Sequence, residues 1–209
     1  MIEKKQILKE ITQQYSNHED FEQILKDFAY DINLAKWGYL FSTDKFDNNH
    51  DISRKVFHCA LALSKDFRDY IDFAFYISKE DGLCDITLAK EAYKLAISKV
   101  VLLRDLRHIA DMLATKKDSF YDKEMAKKVY EEAISKSKTA FDFVAIAESL
   151  CDSNMLNDKE MAKEVYEKAI KSCENSDELE AVADSVIQED NLFDEQWASK
   201  IYSISTLSK

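Results

Sequence analysis

The chain has 209 residues, lacks proline and contains only two glycines, so it has few of the residues on which the tight turns of β-sheets depend. Its 40 acidic and 29 basic residues give a net charge of −11, which opposes binding to nucleic acid or to an anionic membrane and favours a partner with a basic surface. The 46% hydrophobic content allows a packed core, and no apolar run approaches the roughly 20 residues of a membrane span. We therefore expect an all-α protein.

The first 30 residues carry two apolar stripes at helical spacing: Ile7, Leu8, Ile11 and Tyr15, then Phe21, Ile24, Leu25 and Phe28. Ser16 and Glu19, which lie between the stripes, have the spacing of a capping box. Phe21 lies 36 residues before Phe57, and this distance recurs along the rest of the chain. Residues 1–30 are therefore predicted to form an N-terminal helical cap, with a decayed repeat as one interpretation.

From residue 31 onward, the chain repeats a predicted helix pair five times. The first helix of each pair carries an eight-residue pattern: LAKWGYLF, YIDFAFYI, LRHIADML, FVAIAESL and LEAVADSV, starting at residues 34, 70, 106, 143 and 179. In each copy, two large residues three apart are followed by a small residue: Gly38, Ala74, Ala110, Ala147 and Ala183. Small residues at such positions let two helices approach closely.

The second helix of each pair carries a small residue, an aromatic residue four positions later and another small residue after three more. The first small residues are Ser53, Ala89, Ala126, Ala162 and Ala198, and the aromatic residues are Phe57, Tyr93, Tyr130, Tyr166 and Tyr202. We interpret the aromatic residues as core residues rather than as ligand-stacking groups. Four aspartates stand four residues before a first small residue and are predicted to cap these helices: Asp85, Asp122, Asp158 and Asp194.

This two-helix pattern resembles the tetratricopeptide repeat over about residues 30–207. It departs from that family in its period of 36 or 37 rather than about 34 residues, in a longer connection inside each pair and in the absent proline. The Sel1-like class has comparable lengths, but its glycine-rich signature is missing. The resemblance implies a right-handed α-solenoid of about five stacked helix pairs, over residues 31–65, 66–101, 102–138, 139–174 and 175–209.

Residues for catalysis or metal binding do not cluster in the sequence. The four histidines form no H-E-x-x-H motif, no histidine and cysteine have zinc-ligand spacing, and two isolated glycines cannot build a phosphate-binding loop. The four cysteines lack C-x-x-C spacing, and the N-terminus lacks a secretory signal, so reduced thiols and a cytoplasmic location are expected. We expect a protein that is not an enzyme and that needs no cofactor or metal.

In tetratricopeptide-like arrays, the first helix of each pair lines a concave surface. Projecting that register onto this chain predicts a partner-binding groove formed by Tyr39, Arg68, Ile71, Phe75, Arg104, Arg107, Asp111, Glu148, Glu180 and Asp184. The same register includes Phe141 and Val144. Arginine forms planar, bidentate hydrogen bonds with carboxylates, so the three arginines either recognise a partner or neutralise acids within the protein.

Two classes of function fit this sequence. The first is a non-catalytic module that binds a protein or peptide in its concave groove, as an inhibitor or immunity protein for a toxin, as an adaptor, or as a chaperone for a secreted client. The second is a ligand-sensing regulator or an enzyme with a site between helices. The repeat and the lack of reactive clusters favour the binding module, whose partner is predicted to be a protein or peptide with a basic surface rather than a nucleic acid or a membrane.

Overall fold

The structure, a computed structural model, describes residues 33–44, 48–116 and 120–207, and the predicted cap at residues 1–30 lies outside them. These described residues form ten helices and no strand: α1 (Leu34–Ser42), α2 (His50–Leu63), α3 (Phe67–Ile77), α4 (Ile86–Lys99), α5 (Leu103–Ala114), α6 (Lys123–Lys136), α7 (Ala140–Cys151), α8 (Lys159–Ser172), α9 (Ser176–Ile187) and α10 (Glu195–Leu207). The predicted all-α class is confirmed. None of the helices in the described ranges is both long enough and apolar enough to cross a membrane.

The chain divides into two compact units, Met1–Val100 and Val101–Lys209. In the first unit, α1 packs with α2 and α3 packs with α4, and α1 also contacts α3. In the second unit, the pairs are α5 with α6, α7 with α8 and α9 with α10. The first helices of the last two pairs, α7 and α9, also contact each other. The helices therefore form the pairs that the sequence repeat predicts.

The second helix of a pair begins at an aspartate in four of the five pairs. The side chains of Asp85, Asp122 and Asp158 accept hydrogen bonds from backbone N–H groups three residues later, and Asp194 accepts one from Trp197. Such a cap satisfies a helix N–H group that would otherwise lack a partner, and it contributes about 1 kcal/mol. The four predicted caps are confirmed.

The backbone N–H groups of these aspartates also fix the connection inside the same four pairs. The backbone N–H of Asp158 donates a 2.8 Å hydrogen bond to the carbonyl of Leu150 near the end of the preceding helix, and Asp85 and Asp122 make matching 3.0 Å bonds. In several copies, the residue before the aspartate has a positive φ: Cys84 (53°), Asn157 (51°) and Phe193 (55°). A residue in this left-handed conformation changes the chain direction sharply just before the cap of the second helix.

The small residues of the first helices are buried. Ala74, Ala110, Ala147 and Ala183 have no exposed surface. A Cβ atom added to Gly38 would lie 2.9 Å from the Phe57 ring, so only glycine fits there without a shift of that ring. The predicted close helix approach is therefore seen at Gly38, and the four alanines are buried.

Candidate functional site

An open groove of about 370 Å³ lies between α7 and α9 in the second unit. We call it the α7–α9 groove. Phe141, Val144 and Ala145 of α7 form one wall, and their spacing of three and four residues places them on one helix face. Ala181 and Val182 of α9 form the facing wall. Phe141 is 60% exposed, so the groove presents a large aromatic side chain to solvent.

Two alanines keep this groove open. Ala145 and Ala181 occupy the third position of the eight-residue pattern in α7 and α9. The other three first helices carry exposed polar residues at that position: Lys36, Asp72 and His108. Because alanine ends at Cβ, another chain can approach the backbone of α7 and α9 more closely than it can where the longer side chains stand.

Three carboxylates border the apolar walls, namely those of Glu148, Glu178 and Asp184. None of the described residues that line the groove is a lysine or an arginine. An Oε2 atom of Glu178 accepts a 2.9 Å hydrogen bond from the backbone N–H of Glu174, and Asp184 accepts one from the Tyr202 hydroxyl. The groove therefore combines an apolar surface with negative charges that are held in place.

A hydrogen-bonded chain fixes the third carboxylate. The Ser185 hydroxyl donates to Oε1 of Glu148 at 2.8 Å and lies 2.7 Å from the Tyr166 hydroxyl. Because Ser185 has a single hydroxyl proton, Tyr166 must donate to Ser185. The fully buried Tyr166 thus positions Glu148 at the edge of the groove through Ser185.

A second cavity, of about 630 Å³, adjoins the groove and shares Glu148 and Gln188 with it. We call it the polar pocket. It lies at the connections between α7 and α8 and between α9 and α10, where Asp152, Glu189 and Asp190 face one basic residue, Lys159. Glu189 and Asp190 are exposed and form no ion pair with any residue in the described part of the chain.

The repeated tyrosines are structural, and two of them, Tyr130 and Tyr202, have hydroxyl partners at equivalent positions. Tyr130 donates a 2.7 Å hydrogen bond to Asp111, the residue that follows the small alanine in α5. Tyr202 donates to Asp184, which has the same position in α9. Burial raises the pKa of Asp111 above its ordinary value, while the hydrogen bond from Tyr130 opposes that rise. The sequence predicts the tyrosines as core residues but gives no direct sign of these partners.

Comparisons with protein-family models, with curated proteins and with solved structures found no match to this chain. The tetratricopeptide-like assignment therefore stays a prediction from the repeat pattern. Within the described ranges, no group of three or more histidine, cysteine, aspartate or glutamate side chains could hold a metal ion.

Four of the ten residues predicted to form a groove lie in the first unit. Tyr39 donates a 2.6 Å hydrogen bond to Asp81, which raises the tyrosine's pKa to about 12. Arg68 is exposed, Phe75 is half-buried, and Ile71 is buried in the core. These four positions therefore differ in exposure, and Ile71 serves packing in this structure.

The other six predicted residues lie in the second unit. Arg104 is exposed, whereas Arg107 is half-buried and its Nε atom has no hydrogen-bond partner among the described residues. Glu180 accepts a 3.3 Å hydrogen bond from Ser205. Glu148 and Asp184 meet at the α7–α9 groove. Asp111, Arg104 and Arg107 share α5, and a groove formed by all ten residues stays a prediction.

Proposed function

We propose that this protein is a non-catalytic module that binds a protein or peptide in the α7–α9 groove. The observation that carries the proposal is the exposed Phe141 in an open groove with apolar walls and fixed carboxylates at its border. Exposed apolar surface bordered by polar groups is typical of sites that recognise other proteins. The carboxylates orient the bound protein or peptide, and the apolar walls supply most of the binding free energy.

The repeat architecture supports the same function. We propose that the helix pairs within each unit stack as a right-handed solenoid of the tetratricopeptide-like class. In such arrays, the first helices line the binding surface, and both walls of the α7–α9 groove come from first helices. Phe141 and Val144 stand at the positions of α7 that match Arg104 and Arg107 in α5, so the arginines belong to the same proposed surface.

Within this class, we propose a role as an inhibitor or immunity protein for a toxin, or as an adaptor or chaperone, acting in the cytoplasm. Each role requires a groove that captures a segment of another protein, and the identity of the partner distinguishes them. Arg68, Arg104 and Arg107 are proposed to bind carboxylates of that partner, since guanidinium groups pair with carboxylates in a bidentate geometry.

Selection from a random-peptide phage library on the immobilised full-length chain tests the proposal. We expect a family of related peptides to be enriched over a blank surface, and synthetic copies to bind the chain in a fluorescence-anisotropy titration. Phe141→Glu should weaken their binding at least about tenfold, or about 1.4 kcal/mol, because it replaces the exposed ring with a charge. The new glutamate lies in the first turn of α7, where a negative charge is compatible with the helix dipole, so the fold should persist.

Phe193 provides the matched control. It lies in the same unit and is 57% exposed, nearly the same as Phe141, but it does not line the groove. Phe193→Glu introduces the same charge outside the groove and should bind the selected peptides like the unaltered chain. The proposal is rejected if no peptide is enriched, or if Phe141→Glu and Phe193→Glu bind the selected peptides equally well.

A further inference from the structure

We infer that the occupant of the α7–α9 groove is a basic amphipathic segment of a partner protein. Its apolar side chains contact the walls of the groove, and its lysine or arginine side chains continue into the polar pocket. This inference rests on the proposed binding function and adds the chemical class of the partner.

The charges around the two cavities indicate that the partner segment is positively charged. Three carboxylates border the groove, and Asp152, Glu189 and Asp190 add three more in the polar pocket against the single Lys159. Six carboxylates around two adjoining cavities create a local negative potential, and such a potential attracts a cationic ligand. An acidic or neutral segment would leave these charges uncompensated next to its own surface.

The continuity of the two cavities indicates the order of apolar and basic groups. Glu148 and Gln188 line both cavities, so a single segment can pass from the apolar walls into the acidic pocket without leaving the surface. Glu148 stands at this passage and is held by Ser185 at 2.8 Å. A basic side chain that follows an apolar anchor therefore meets a carboxylate that is already positioned.

The shape of the groove favours a helical segment. Ala145 and Ala181 leave room for a close approach along the line between α7 and α9. An amphipathic helix that lies along such a groove presents apolar residues three and four positions apart, and its polar face remains available for the carboxylates at the border. We therefore expect apolar anchors at helical spacing, with basic residues beside them.

Three labelled synthetic peptides of about 18 residues, or five helical turns, test this inference by fluorescence anisotropy with the full-length chain. The first is an amphipathic helix of leucine and lysine. The second replaces every lysine with glutamate. The third has the composition of the first in an order that removes the apolar face. We expect the first peptide to bind at least about tenfold more tightly than the third, and the second not to bind, with affinity falling as the salt concentration rises.

Two variants locate the contact. Ala181→His introduces the residue that α5 carries at the equivalent position, His108, so the helix should tolerate it while the groove is narrowed. The double charge reversal Glu189→Lys and Asp190→Lys alters the polar pocket. Each variant should weaken binding of the leucine–lysine peptide at least about tenfold. The double reversal Glu164→Lys and Glu167→Lys, at exposed positions of α8, changes the net charge by the same amount as the double reversal in the polar pocket. It should weaken peptide binding less.

The outcomes separate the charge class from the binding function. If the leucine–glutamate peptide binds more tightly than the leucine–lysine peptide and Ala181→His abolishes that binding, the basic class is wrong while the binding module stands. If both double reversals weaken binding of the leucine–lysine peptide equally, or if Ala181→His does not change that binding, the peptide binds through the general negative charge of the surface. The inference is then overturned. A leucine–lysine peptide that binds no better than its reordered copy also overturns it.

Discussion

The hydroxyl of Tyr130 donates a 2.7 Å hydrogen bond to Oδ1 of Asp111 on the preceding helix of the same pair. Tyr130 is fully buried and Asp111 is half-buried, so the carboxylate has lost part of its hydration, and Tyr130 and Ser149 supply hydrogen bonds in its place. Tyr202 and Asp184 repeat the contact two pairs later on a more exposed surface. The two copies of one interaction at different burial allow its contribution to stability to be measured.

Tyr130→Phe should lower the free energy of unfolding by about 1.5–3 kcal/mol, since it removes a hydrogen bond to a charged, partly buried group without changing the ring. Tyr202→Phe should cost less than about 1 kcal/mol because water can replace the lost donor at Asp184. Urea denaturation of both variants measures the two values. Equal losses would show that burial of Asp111 does not determine the strength of the contact.

The pH dependence of stability should change in Asp111→Asn. Because burial raises the carboxyl pKa of folded Asp111 above 3.8, the folded chain binds more protons than the unfolded chain between 3.8 and the raised pKa. This contribution therefore makes the unaltered protein less stable as pH rises through that window. Asp111→Asn lacks this pH-dependent contribution but keeps a side-chain oxygen that accepts the hydrogen bond from Tyr130.

Unfolding free energies of the two proteins at a series of pH values above about 3.8 test this expectation. The stability of the unaltered chain relative to Asp111→Asn should fall with rising pH and then level off. A relative stability that increases with pH would mean that the hydrogen bonds from Tyr130 and Ser149 and the positive charges of Arg107 and His108 outweigh the effect of burial.

Enlarging the small residues at the helix contacts should destabilise the protein. Ala147 and Ala183 have no exposed surface, so Ala147→Leu and Ala183→Leu should each cost about 1–3 kcal/mol through overpacking. Ala145 lies two residues before Ala147 on the same helix but borders the open groove, and Ala145→Leu is the matched control. Thermal melts should show a lower melting temperature for the first two variants, and a loss as large in Ala145→Leu would contradict the assigned register.

The sequence predicts the helix pairs because the signals for them are local. Small residues, aromatic residues and aspartate caps recur at fixed spacing, and the structure places Ala147 and Asp158 as that spacing predicts. The contact between Tyr166 and Ser185 could not be predicted in this way, because it joins two helix pairs and depends on how they pack. One feature of the sequence could have indicated the groove: Ala145 and Ala181 stand where the other first helices carry polar residues.

Phe193→Asn should stabilise the chain. Phe193 has a φ of 55°, in the left-handed region that is unfavourable for a bulky residue, and its ring is mostly exposed. Asparagine tolerates this conformation, and Asn157 adopts it at the equivalent position one repeat earlier. We expect a gain of about 1 kcal/mol in the free energy of unfolding, and the reciprocal change Asn157→Phe should lose a similar amount. The backbone argument fails if both substitutions shift stability in the same direction.

The start of α5 lacks a side-chain cap that the other first helices possess. The side chains of Asn33, Asp66, Thr139 and Asn175 each accept a backbone hydrogen bond at the start of their helix, whereas the side chain of Leu102 has no oxygen and the residue is 48% exposed. Asp105 already stands three residues later, the position at which Asp69 and Asp142 complete capping boxes with Asp66 and Thr139.

Leu102→Thr should therefore create a capping box with Asp105 and stabilise the protein by about 1 kcal/mol. For a chain of this size, that gain corresponds to a rise of about 2–4 °C in the melting temperature, which differential scanning calorimetry can measure. Leu102→Ala is the control, because it removes the exposed apolar side chain without supplying an oxygen, and it should not reproduce the gain. Adding Asp105→Ala to Leu102→Thr should remove part of the gain, since the capping box needs both side chains. If Leu102→Ala raises the melting temperature as much as Leu102→Thr does, the effect comes from removing the leucine and not from the new cap.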